Sequence, residues 1–318
     1  MRLLRLRLAG ILMGASVLMG QAHAEDLTGR LKKIRDTGTL TLGVRDASIP
    51  FSYLDNKQSY RGYSVDLCMK AATAIQKKLD LAALHVKMVP VTSVTRIPLI
   101  ANGAIDISCD SATNNMERQK QVAFAVTGFV VANRFLSKKT ANLKTLDDLK
   151  GKTIVSTSGT TSLKQITTLN TERKLGMHIL AARDHAEAFL MVETGRAVAF
   201  VMDDILLSSL AAGSRSPDDY VISSEALSVE PYGLILPLGD AAFKKVVDDA
   251  LIAVYKSDEI KTIYAKWFQS SIPPKGINLH VPMSPQLQAI LAQPTDSGDP
   301  TAYAAVPEAQ QQSSGKKK

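Results

Sequence analysis

Ile105-Asp-Ile-Ser-Cys-Asp-Ser-Ala-Thr-Asn-Asn-Met-Glu-Arg-Gln-Lys120 changes character twice along its length. It opens as a short alternating strand and passes through the hydroxyls of Ser111 and Thr113. Asn114 and Glu117 then have the Asn-x-x-Glu spacing of a capping box, which predicts a helix beginning there. A strand that ends among hydroxyls and the free N–H groups of a helix start offers a socket for a small carboxylate, and Arg118 can reach the same point. A capped helix with an exposed arginine fits the same residues, so the neighbouring sequence has to separate the two readings.

On the N-terminal side, residues 40–45 (Leu-Thr-Leu-Gly-Val-Arg) alternate as a strand that stops at Arg45. From Ser64 onward, Cys68, Ala71, Ala72, Ile75 and Leu79 recur at helical spacing. Residues 84–91 form the next strand, and 93–102 a helix closed by Gly103 with Arg96 in its first turn. With the 105–120 stretch this gives a β-α-β-α-β order, hence a parallel sheet covered by helices.

A second series follows a strand at 129–138. It contains a short helix at 146–150, a strand at 153–157 and the hydroxyl-rich turn Ser158-Gly-Thr-Thr-Ser162 leading into a helix. A strand at 178–182 precedes Asp184 and His185, which open a helix closed by Gly195; the apolar strand 198–202 runs into Asp203 and Asp204. Residues 220–222 end this series, 232–237 return to the first half, and helices over 240–257 and through Trp267 and Phe268 complete the chain. The fold class is therefore α/β with two lobes, each a sheet flanked by helices, linked twice by extended segments. The expected division is 25–132 with 226–293 for lobe 1, and 133–225 for lobe 2. Open sheets of this kind bind ligands at their strand carboxyl ends, here in the crevice between the lobes.

The first 24 residues read as a cleaved signal peptide. Arg2, Arg5 and Arg7 form its positive region, residues 8–19 are apolar, and Ala22-His-Ala24 is a cleavage signal before Glu25. The expected location is the periplasm. The formal net charge of +8 falls to about +5 without that leader. No basic face with interleaved aromatics is present, which argues against nucleic acid, while a modest positive balance suits a small anion. Cys68 and Cys109 make an even pair in an exported chain, which favours one disulfide over two buried thiols. There is no C-x-x-C or metal-type spacing, and no cofactor is expected. From 294 to 318 the composition turns to Pro, Gly, Ser, Gln and Lys, so a disordered tail is expected.

Arg45, Arg96 and Arg118 bring more guanidinium groups to the strand ends than one carboxylate requires; two carboxylates would use them fully. Gly159, Thr160 and Thr161 offer N–H groups and hydroxyls from the opposite lobe. Asp203, ending a buried strand, needs a cationic partner, and a ligand ammonium would serve. His185 can donate to an anion, helped by protonation if the site is acidic. Each residue also has an ordinary role open to it: a surface ion pair for the arginines, and a helix cap for Asp203 and His185.

These residues sit in motifs that resemble the family 3 solute-binding proteins of ABC transporters. The motifs are Pro50-Phe-Ser-Tyr-Leu-Asp55, Thr92-Ser-Val-Thr-Arg-Ile-Pro98, Ser111-Ala-Thr-Asn-Asn-Met-Glu-Arg-Gln119, Thr157-Ser-Gly-Thr-Thr-Ser162, Gly195-Arg-Ala-Val-Ala-Phe-Val-Met-Asp-Asp204 and Ile272-Pro-Pro-Lys275. The resemblance spans residues 31–294 and is nearest to members that take dicarboxylic amino acids. It implies a type II clamp with mixed, mainly parallel sheets and two hinge strands. The clamp would be monomeric and would deliver L-glutamate or L-aspartate to an inner-membrane permease without catalysis. Matched by position, Ser111, Thr113, Arg118 and Thr161 take the α-carboxylate and Asp203 the ammonium. Arg45, Ser93, Arg96 and His185 surround the side-chain carboxylate. The match departs at Asp110 and Ala112, where such relatives commonly have Gly and Thr; an acid there either opposes an anionic ligand or faces solvent. Two other readings use the same fold. One is an exported cyclohexadienyl dehydratase-like enzyme with His185 or Glu117 as acid or base, and the other an amino-acid sensor subunit acting through a partner.

Overall fold

The computed structural model describes residues 27–303. The expected leader and the tail beyond 303 lie outside the described residues. In chain order, the first lobe opens with α1 (Gly29–Thr37), β1 (Thr39–Val44), β2 (Ala47–Ser48), β3 (Ser52–Leu54) and β4 (Tyr60–Arg61). It continues with α2 (Tyr63–Lys78), β5 (His85–Pro90), α3 (Arg96–Ala101), β6 (Ile107–Ser108) and β7 (Ala123–Phe124). The chain then crosses on β8 (Phe129–Lys138) to β9 (Thr153–Thr157), α4 (Thr161–Glu172), β10 (His178–Ala182) and α5 (His185–Glu193). Next come β11 (Ala199–Asp203), α6 (Asp204–Ala212) and β12 (Tyr220–Ile222). It returns through β13 (Ser228–Tyr232) and β14 (Ile235–Leu236) to α7 (Ala241–Tyr255), α8 (Glu259–Phe268) and α9 (Pro285–Ala292).

The first sheet has the order β5-β1-β6-β14-β7, with β1 parallel to both neighbours and β14 antiparallel to β6 and β7. Leu40, Leu42 and Val44 of β1 are buried, as are Cys68, Ala71, Ala72 and Ile75 along the apolar stripe of α2. Each fully buried side chain of Val or Leu size contributes about 1.5–3 kcal/mol. Cys68 and Cys109 are bridged, with their Cα atoms 6.1 Å apart, so α2 is tied to the residue that precedes Asp110. The second sheet runs β10-β9-β11-β8-β12, parallel from β10 to β11 and antiparallel at β8.

β8 and β13 join the lobes. The first half of β8 pairs antiparallel with β13, from Phe129 opposite Tyr232 to Asn133 opposite Ser228, and its second half pairs with β11 and β12. An aromatic cluster fixes the lobe 1 end of this ribbon. Phe51 meets Phe129 and Tyr232 edge-on at 5.0 and 5.2 Å between centroids, and Phe129 stacks on Phe268 at 4.8 Å.

Three features differ from the sequence expectation. No helix starts at Asn114. Thr113 forms a β-bridge with Tyr232, Asn114 N donates to Pro231 O at 2.7 Å, and Gly233 N donates to Ala112 O at 3.1 Å. Strand-like pairing thus takes the backbone groups that a helix start would have used. Only a 3-10 turn, Arg118–Lys120, follows, and Asn115 Oδ1 rather than Asn114 accepts the Arg118 N–H at 2.8 Å. Secondly, the hairpin strands β2, β3 and β4 form a small sheet of their own. Thirdly, residues 294–303 are ordered against lobe 1, in place of the expected disorder. Tyr303 is 1 % exposed and shares a hydrogen bond with Thr127 Oγ1 at 2.8 Å. Thr127 N donates to Thr295 O at 2.8 Å, and Lys244 pairs with Asp296 at 2.8 Å. A single buried tyrosine and main-chain hydrogen bonds anchor a segment whose composition is otherwise polar.

Candidate functional site

Short polar segments at the strand carboxyl ends converge between the lobes. Arg45 follows β1, Asp110 and Ser111 follow β6, and Arg96 opens α3. From lobe 2, Gly159 and Thr161 lie at the start of α4, His185 opens α5, and Asp203 ends β11. Arg45, Ser93, Arg96, Ser111, Thr113, Arg118, His185 and Asp203 are all buried.

The lobes meet around these residues. Arg118 donates from Nη1 to Thr113 O at 2.8 Å and from Nη2 across the cleft to Gly159 O at 3.2 Å. Thr113 Oγ1 and Thr161 Oγ1 are 3.2 Å apart, and Lys164 pairs with Glu117 at the rim. Gly159 has φ +74°, and a Cβ there would lie 2.8 Å from the backbone of Ser93 and Val94. Only glycine combines that left-handed backbone with so close an approach. These contacts describe a closed clamp.

Within the closed cleft, several buried polar atoms have no protein partner: Arg45 Nη1, Ser93 Oγ, Arg96 Nε, Ser111 Oγ and Asp203 Oδ1. Buried polar groups are nearly always hydrogen-bonded, so a set of free donors with a free carboxylate oxygen marks a place built for a polar ligand. Burial, with Arg96 close by, lowers Arg45 to about 10, and burial with Arg96 likewise lowers Arg118 to about 10. Both stay cationic at neutral pH.

Asp203 occupies the position before α6 without capping it; Asp204 Oδ1 takes the Ile205 N–H instead. Tyr232 OH donates to Asp203 Oδ2, leaving Oδ1 free. Burial raises Asp203 to about 8, with buried Glu230 adding to the rise. A carboxylate so placed gains most from a cation delivered by the ligand. Glu230 and Tyr232 were not among the expected site residues. Both lie on β13, whose alternation over 228–232 is interrupted by Pro231, and Glu230 is held by Ser228 Oγ at 2.6 Å.

His185 departs from the expectation of a protonatable donor. Burial and the charges of Arg45 and Arg96 push it well below 6.5, so the imidazole is neutral. Nδ1 is 2.9 Å from Thr157 Oγ1; with that hydroxyl as donor, Nε2–H is the group left for an anion. Asp110 does not face solvent. It is 1 % exposed, with Oδ1 3.1 Å from Arg96 Nη1. The N–H does not point along that line, so the contact is an ion pair rather than a hydrogen bond. Asp110 Oδ2 accepts from Ser108 Oγ at 3.0 Å. The surplus of guanidinium charge inferred from sequence is therefore partly neutralised from within. Ala112 is buried in an apolar cluster with Val91, Ile100 and Ile105. Glu117 lies at the exposed rim, paired with Lys164. Among the described residues, no group of three or more His, Cys, Asp or Glu could hold a metal, and no helix is long and apolar enough to cross a membrane.

Residues 40–270 match the family model for bacterial extracellular solute-binding proteins, family 3. An L-glutamate/L-aspartate-binding protein of Pseudomonas aeruginosa is 54% identical over 283 residues, covering 89% of this chain and 94% of that protein. A glutamate/aspartate import solute-binding protein of Salmonella typhimurium is 44% identical over 300 residues, covering 93% and 99%. Among solved structures, a mutant of ArgBP from T. maritima superposes with a TM-score of 0.67 at 28% identity, over 76% of this chain and 100% of that one.

Proposed function

The chain belongs to the bacterial extracellular solute-binding proteins, family 3, and from that membership we propose that it captures L-glutamate and L-aspartate between its lobes for an ABC importer. Its similar relatives are solute-binding proteins rather than enzymes, and this chain is read as a binding protein too. The observation that carries the ligand assignment is the pairing of opposite needs inside one closed cleft. Asp203 Oδ1 lacks a cation on one side, and Arg45, Arg96, Ser93 and Ser111 have free donors on the other.

Arg118, Ser111, Thr113 and Thr161 bind the α-carboxylate, and Asp203 binds the ammonium. Arg45, Ser93, Arg96 and the Nε2–H of His185 surround the side-chain carboxylate. Lobe closure on the bound amino acid presents a surface that an inner-membrane permease recognises. Export to the periplasm through the leader at 1–24 places the protein beside that permease, and a mature N-terminus at Glu25 in the periplasmic fraction would support it.

A thermal-shift screen of the twenty amino acids tests the assignment, because a ligand bound only by the folded chain raises its melting temperature. Glutamate and aspartate are expected to give the largest shifts. Arg118→Ala is expected to abolish both, since truncating one partner of a desolvated charge pair costs about 2–5 kcal/mol or more. A larger shift from a basic or apolar amino acid overturns the ligand class. Turnover of prephenate or arogenate would restore the enzyme reading.

A further inference from the structure

Asp110 is an acid inside a site otherwise furnished for anions. Its backbone is fixed from two elements: Asp110 O accepts from Ser64 Oγ on α2 at 3.0 Å, and the preceding Cys109 is bridged to α2 and hydrogen-bonded to Gly43 O at 2.8 Å. Ser108 Oγ holds Oδ2, which leaves Oδ1 beside Arg96 Nη1. The same Nη1 donates to Ser111 O at 3.2 Å, so one end of the Arg96 guanidinium is occupied without any ligand, while its buried Nε has no partner. At the side-chain end of the cleft, two guanidinium charges, Arg45 and Arg96, are set against one internal carboxylate.

We infer that Asp110 is a specificity-determining positioning residue, which balances the charge of Arg96 when the ligand side chain is uncharged and so lets the cleft also hold the neutral amides glutamine and asparagine. The inference rests on the ligand placement proposed above. A site whose buried polar groups are left unpaired by an analogue rejects it by about 10⁴-fold or more. Here the Arg96 charge stays balanced by Asp110, the amide NH2 donates to the unbonded Asp110 Oδ1, and the amide carbonyl accepts from Arg45 Nη1 and Arg96 Nε, so the rejection shrinks. The same carboxylate repels the side-chain carboxylate of glutamate, which lowers the preferred ligand's advantage from the other direction.

Titration calorimetry of the wild-type chain with glutamate and glutamine gives the first test. Glutamine is expected within about 100-fold of glutamate. Tight glutamate binding with a ratio of about 10⁴ or more overturns this inference alone; no binding of glutamate overturns the placement on which it rests, and the inference with it. Asp110→Asn then removes the charge and keeps the shape and the acceptor for Ser108. It is expected to tighten glutamate, weaken glutamine and raise their affinity ratio by about tenfold. An unchanged or smaller ratio contradicts the role. Ser108→Ala, which loosens the support but keeps the charge, is expected to shift both ligands alike. If Asp110→Asn does not fold, the wild-type ratio decides.

Discussion

At the scale of single residues, the buried charges cannot be removed one at a time without leaving another stranded. Arg96→Ala deletes a candidate ligand contact, but it also leaves the buried Asp110 without its ion-pair partner. Breaking a buried pair from one side costs about 3–5 kcal/mol. The single variant is therefore expected to lose stability in urea titrations, and Arg96→Ala with Asp110→Asn to regain much of it. Equal destabilisation by both would show that the Asp110 charge does not depend on Arg96.

Asp203 gives the site a pH dependence of definite sign. Its ligand-free value of about 8 comes first from burial and then from Glu230, with Asp204 also raising it while Tyr232 and Arg118 lower it. Burial favours its protonated form, whereas a ligand ammonium at Oδ1 favours the ionised form, so binding at neutral pH is expected to release protons. Affinity should rise as pH increases towards 8 and level off above it. Calorimetry in two buffers of different ionisation enthalpy checks this; identical enthalpies would mean that Asp203 keeps its proton. The sequence marked Asp203 as a buried strand-end acid in need of a partner. It did not mark Glu230 and Tyr232, because their effect depends on β11 and β13 both pairing with β8, which brings the Tyr232 hydroxyl to Asp203. Asp110 was visible as a departure, yet its pairing needed the geometry of α3.

At the scale of elements, regular periodicity was what could be read. The strands at 129–138, 153–157 and 178–182 were legible to the residue, since each carries a short apolar or β-branched run between clear turn signals. The capping box at Asn114 and Glu117 misled because tertiary pairing with residues 231–233 overrode a local preference. The two- and three-residue strands β2, β3 and β4 are too short to show a period.

The segment 294–303 misled through composition. Its single buried aromatic anchors a strap that reaches the loop carrying Thr113 and Arg118: Asn114 and Gln119 both donate to Asp296 O, at 2.8 and 2.9 Å. Gly298 lies where a Cβ would come within 2.7 Å of Met116 N, so the strap packs directly on that loop. Tyr303→Ala is expected to cost about 3 kcal/mol, by analogy with other large-to-small aromatic truncations. It should also raise amide exchange over 113–119 while leaving lobe 2 protected. A melting temperature unchanged from wild type would mean that the strap contributes nothing.

For the whole molecule, the two main sheets are joined by one antiparallel ribbon, and the aromatic cluster at Phe51, Phe129 and Phe268 fixes its lobe 1 end. In this closed arrangement Gly159 lies against Ser93 and Arg118 reaches across to lobe 2, so the proposed ligand groups are drawn from both lobes at once. That coupling is what would let a permease distinguish loaded from empty protein. A crystal structure of the mature chain grown with L-glutamate tests it most directly. The expected result is one amino acid enclosed between the lobes, its α-carboxylate on Arg118, its ammonium on Asp203 Oδ1 and its side-chain carboxylate among Arg45, Ser93 and Arg96. An unoccupied crevice at saturating glutamate, or a ligand lying the other way round, would contradict the account.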